Sequence, residues 1–99
     1  MSITIDRVVS IPDTVLLQEV SGEAVLLDLA SEQYFGLNDV GTQIWHLLVE
    51  HHRLSLVHAR LLSEYDADPG ILEQDLLELV EALVDAGLVS LEPQAAGSE

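Results

Sequence analysis

The side chains best suited to chemistry in this sequence are four histidines, His46, His51, His52 and His58, and a large supply of carboxylates. Histidines that converge with a carboxylate can hold a metal ion, but no HExxH or comparable ligand spacing joins these four. They read as solvated or packed helix residues. With 18 Asp and Glu in 99 residues, paired carboxylates arise by chance and do not mark an acid–base site. The chain has no Cys, which removes thiolate nucleophiles, thiolate metal ligands and disulfides, and fits a reducing compartment. Ser21, Ser31 and Ser55 fall where turns and helix caps are expected, and neither GxGxxG nor a P-loop pattern occurs. No catalytic residue, no metal ligand and no cofactor is expected, and an enzyme is the weakest functional class.

Charge narrows the partners. The formal net charge is −15, with no Lys and three cations, Arg7, Arg53 and Arg60. Nucleic-acid binding requires several basic side chains to neutralise phosphates, and docking on anionic lipid has the same need. No nucleic acid and no membrane is therefore expected, while a neutral or basic partner is favoured by the protein's field. The opening "MSITIDRVVSIPD" lacks the basic start and apolar stretch of a signal peptide. No apolar run approaches the roughly 20 residues needed to cross a bilayer. The expected location is cytoplasmic.

The chemistry left to this chain is binding, so the elements that could build a surface matter most. Its length fits one domain, read as residues 1–91 with a disordered acidic tail over 92–99. "TVLLQEV" at 14–20 and "AVLLDLA" at 24–30 are apolar extended runs separated by "SGE", where Gly22 can take positive φ. "SEQ" makes a second turn before "YFGL" at 34–37, so an antiparallel meander of three strands is expected. At Asn38 the period changes to helical. Asn38 is a good N-cap for a helix through about His52, carrying Val40, Ile44, Trp45, Leu47 and Leu48. Ser55 is the expected cap of a second helix that presents Leu56, Val57, Leu61 and Leu62 and ends near Tyr65. Asp68-Pro69 starts a third helix over about 69–86, closed by Gly87, and "LVSL" at 88–91 reads as a short extended piece. The fold class is α+β, a winged helix-turn-helix-like arrangement of a three-stranded antiparallel sheet followed by three helices.

Two features of this arrangement exceed what a core requires. The third helix carries Leu79, Leu72, Leu83, Leu76, Val80, Val84 and Leu77 over an arc of roughly 160°, wider than a stripe facing one core. It either sits in a notch between the sheet and the other helices with both flanks buried, or lines a groove for a partner with one flank. The third strand, "YFGL", carries no Lys, Pro or charge, which are the usual protections of a sheet edge. A bare aromatic edge beside a wide apolar helix flank is what strand addition by a peptide uses.

"AVLLDLASEQYFGLNDVGTQIWHLL" at 24–48 resembles the PqqD-like peptide-binding family, the RiPP recognition elements, where RiPP denotes a ribosomally made and post-translationally modified peptide. The resemblance rests on Leu27, Asp28, Tyr34, Phe35, Leu37, Asn38, Gly41, Ile44 and Trp45, with "DLLELVEALVDAGLV" at 75–89 resembling the family's last helix. It implies a non-catalytic domain that binds the leader segment of a precursor peptide as a further strand, beside the third strand and against the third helix. The version here is most similar to free-standing members of lasso-peptide pathways, and "ASEQ" replaces the Pro-Glu that precedes this strand in the pyrroloquinoline quinone chaperone. The implied partners are the precursor leader peptide, a separate cysteine protease that removes the leader, and the cyclase. On the strand side the candidate peptide-binding residues are Gln33, Tyr34, Phe35 and Gly36. Side-chain alternation allows only one of Tyr34 and Phe35 to line the groove directly. On the helix side they are Leu72, Asp75, Leu76 and Leu79, where Asp75 can receive a Tyr hydroxyl or a basic side chain. The opposite flank, Leu77 and Val84, is the alternative. The rival reading is an acidic winged-helix regulator or a protein-docking module, which would need a basic partner surface.

Overall fold

A computed structural model describes residues 3–21 and 23–92. Gly22 and residues 93–99, which include nearly all of the expected tail, lie outside the described residues. The element order is β1 (Val9–Ser10), β2 (Val15–Val20), β3 (Glu23–Asp28), β4 (Tyr34–Leu37), α1 (Asp39–His51), α2 (Leu54–Glu64), α3 (Pro69–Asp85) and β5 (Ser90–Leu91). The chain is thus α+β, with the antiparallel meander β2-β3-β4 followed by three helices.

The meander is built on strict alternation. Ala24, Leu26 and Asp28 of β3 are buried while Val25 and Leu27 are half-buried on the other face. The register pairs Leu26 with Phe35 and Ala24 with Leu37, which places both β4 residues on the core face. Tyr34 and Gly36, opposite Leu27 and Val25, are on the outer face. Beyond Asp28 the chain turns through Glu32, whose φ is 62°. Asp28 holds this turn: its carboxylate accepts from the Ala30 N–H at 3.0 Å and the Ser31 hydroxyl at 2.9 Å.

α1 starts where the sequence places it. The Asn38 side chain accepts the Gly41 N–H at 2.7 Å, and Gly41, Ile44, Trp45, Leu47 and Leu48 are buried. Gly41 has little room for a side chain, because a Cβ would stand 3.2 Å from the Asn38 Oδ1 and 3.3 Å from Leu37. α1 packs on β3 and β4, α2 on α1, and α3 on α2. Asp68 caps α3 through its Oδ1, which accepts from the Gly70 and Ile71 N–H groups at 2.8 and 3.2 Å. α3 ends in a Schellman arrangement in which Gly87, at φ 78°, donates to Val84 and Leu88 donates to Leu83.

Two features depart from the sequence expectation. Ser55 does not cap α2; the N-cap is Arg53, with no side-chain cap bond. The reason is tertiary: the Leu54 N–H donates to the Arg7 carbonyl at 3.0 Å beside a bridge between Val8 and Arg53, which starts the helix ahead of Ser55 and gives its first N–H a partner. Leu54 is fully buried along with Val57 and Leu61, whereas Leu56 is exposed. The second departure is a two-stranded antiparallel ribbon, β1 with β5, which joins the extended piece at 90–91 to the N-terminal segment.

Candidate functional site

β4 lies at an edge of the β2-β3-β4 sheet, and its hydrogen-bond parity determines which amides are free. Asp28 N–H donates to the Gln33 carbonyl at 2.9 Å, whereas Leu29 N–H donates to Thr14 on the other side. Backbone groups alternate direction along a strand, so Asp28, Leu26 and Ala24 point toward β4 and their partners Phe35 and Leu37 point back. The N–H and C=O groups of Tyr34 and Gly36 therefore face outward along the open edge. Tyr34 is 75% exposed, and a Cβ added at Gly36 would meet nothing within 4 Å. Phe35 is half-buried and packed against the core, which divides the two aromatics as alternation requires.

The edge leads into a groove. One depression beside Gly36 and Leu37 is rimmed by Glu23 and Asp39 and reaches Asn38. From Asn38 a second, of about 480 Å³, runs between the start of α1 and one flank of α3. It is lined by Val40, Gly41 and Ile44 on α1 and by Asp75, Glu78 and Leu79 on α3.

The candidate residues from the sequence are placed as follows. Gln33, Tyr34 and Gly36 are exposed on or beside the edge, with Phe35 behind them. Asp75 and Leu79 line the groove. Leu72 and Leu76 do not: they are 7% and 0% exposed and belong to the core that seats α3. The opposite flank of α3 is not idle either, since Leu77 lines a separate depression of about 500 Å³ with Ile3 and Gly70. Both margins of the wide apolar arc are thus half-buried and border open grooves. Val40, Gly41, Ile44 and Glu78 are lining residues outside the candidate site: the sequence places Val40 and Ile44 on α1's apolar face and Glu78 on α3's polar face, and Gly41 enters only through the resemblance. The available signal was Val40 and Ile44, four apart on the helix that Asn38 caps.

The site is acidic, with Asp75 and Glu78 in the groove and Glu23 and Asp39 on the adjoining rim. Among the described residues no group of three or more His, Cys, Asp or Glu is disposed to hold a metal ion. His58 Nε2 lies 2.9 Å from the Pro69 carbonyl, a contact joining α2 to α3. Among the described residues near the edge, Asp28 is a carboxylate whose ionisation is shifted downward. The Thr14 hydroxyl first, then the Ser31 hydroxyl and the Ala30 N–H, hold its ionisation below the ordinary carboxylate value.

Known structures with this architecture include two that were solved with a peptide bound. TbiB1 in complex with the TbiA(beta) leader peptide superposes with a TM-score of 0.72 at 37% identity, covering 87% of this chain and 98% of that one. Lasso peptide synthetase B1 complexed with the leader peptide gives 0.72 at 28% identity, covering 83% and 96%. No curated protein matches the sequence significantly. Residues 23–89, which span β3 to the residues just past α3, match the family described as coenzyme PQQ synthesis protein D. This chain belongs to the PqqD family.

Proposed function

We propose that this protein binds the leader segment of a ribosomally made precursor peptide, in a lasso-peptide pathway, by strand addition to β4 and against α3. The observation that carries the reading is the outward pair of Tyr34 and Gly36 amides on the open β4 edge, with a depression beside Gly36 that adjoins the groove between α1 and α3 at Asn38. It is supported by the likeness to two proteins solved with leader peptides. Gln33 begins the strand edge, Tyr34 and Gly36 supply ladder bonds, and Phe35 fixes the strand on the core. Asp75 and Leu79 meet the incoming side chains, while Leu72 and Leu76 hold α3 from its buried side.

On this reading the chain performs no chemistry on the peptide. It orders the leader and holds it for a separate cysteine protease that cleaves the leader, with the cyclase as the next recipient. The cytoplasm, where ribosomal precursors are made, is the compartment the reading requires. A regulator that contacts nucleic acid is disfavoured by the −15 charge.

The test is a titration with the leader of a precursor encoded beside this protein. Trp45, 3% exposed and adjacent to the groove residue Ile44, is the chain's single tryptophan and reports by fluorescence. Saturable binding with amide shifts at 33–36 and 75–79 is expected. The reading fails if no neighbouring leader binds.

A further inference from the structure

We infer that the segment accepted by this groove carries a Lys or Arg two positions from an apolar side chain, an inference that rests on the leader-binding reading above. The groove has an apolar floor of Val40, Ile44 and Leu79, and two carboxylates, Asp75 and Glu78, stand on its α3 wall. Among the described residues neither carboxylate is in an ion pair; Glu78 only accepts from the Gln74 side chain at 3.2 Å. The chain's cations are elsewhere. Arg7 donates to the Glu92 carbonyl, Arg53 to the Asp6 carbonyl, and Arg60 is on α2. Among the described residues no Arg pairs with this wall, so a cationic occupant is favoured there.

The spacing follows from geometry. Asp75 and Leu79 are four residues apart on α3, about 6 Å along the helix axis. Same-face residues of an added strand repeat every second position, roughly 6.7 Å. In a strand that runs along α3, an apolar side chain seated against Ile44 and Leu79 places its same-face neighbour at Asp75. A cation there completes the pair, whereas an acidic side chain meets two like charges. Glu23 and Asp39, on the rim of the adjoining depression, extend the same preference along the edge.

The experiment selects displayed random short peptides on the intact chain, then repeats the selection on an Asp75→Lys/Glu78→Lys variant, both sites of which are exposed. Binding at the β4 edge is recognised by its loss in Gly36→Pro. Expected is enrichment of Lys or Arg two positions from an apolar residue, switching to Asp or Glu on the double variant. Replacing the selected Lys by norleucine should weaken binding about fivefold at low salt, and less at high salt. Edge-bound peptides with no basic preference overturn the inference and leave leader binding standing. Basic peptides indifferent to Gly36→Pro overturn it as well, because the cation is then read elsewhere. No enrichment at all overturns the inference, while leader binding is decided separately by the leader titration.

Discussion

At the scale of single residues, Asp28 connects the fold to the site. It is 6% exposed and organises the turn that delivers the chain into β4. Its ionisation is depressed by the Thr14 and Ser31 hydroxyls and the Ala30 N–H, so the folded state favours the charged form. The stabilisation is therefore present above the unfolded carboxylate value, about 3.9, and is lost as pH falls through the lower folded value. Asp28→Asn should lower stability at neutral pH and flatten the acid limb of a Tm-against-pH profile. An unchanged acid limb would remove Asp28 from this role. The residue was visible in the sequence only as part of the motif at 24–48. Its burial was not, because an Asp at the end of an apolar strand looks like a turn residue until its partners are known.

At the scale of elements, strand addition makes a demand that sequence periodicity could not specify. The pattern in "YFGL" locates the strand and separates Tyr34 from Phe35, but parity along the edge depends on which β3 amides face β4. That comes from the Asp28–Gln33 bond. A Pro at Phe35 would remove a donor aimed at β3 and damage the sheet. A Pro at Gly36 removes an outward donor only, which an edge strand tolerates. Gly36→Pro should therefore fold and lose leader affinity, while Gly36→Ala, which also adds a Cβ in open space, should keep most of it. Equal affinities measured by calorimetry would argue that the Gly36 amide makes no ladder bond. α3 teaches a complementary lesson. Its apolar arc was legible from spacing alone, yet a helical wheel gives direction and not depth, so Leu72 and Leu76 fell into the candidate surface when they are core. The misplaced cap of α2 has the same origin. Ser55 is a good local choice, and a long-range bridge to Val8 overrode it.

At the scale of the whole molecule, the caps of α1 and α3, the three-stranded meander and the α+β class were legible because each is set by neighbours in sequence. The β1–β5 ribbon was not, since two-residue strands about 80 positions apart carry no periodicity. It ties the N-terminal segment to the end of the last helix, with Val9 fully buried between them. Val9→Ala should cost about 2 kcal/mol, read as a lower midpoint in urea with an unchanged slope. A cost near zero would mean the ribbon contributes nothing to the cooperative fold. The −15 charge acts at this scale too: its field would favour the approach of a basic partner without fixing where it lands.

The central claim is that the leader joins the sheet at β4, and residue-resolved amide hydrogen exchange tests it most directly. In the free protein the Phe35 and Leu37 amides should be protected by β3 while those of Tyr34 and Gly36 exchange quickly. With saturating leader, Tyr34 and Gly36 should become protected as well. Saturable binding that leaves those two amides as fast as before would contradict strand addition at this edge.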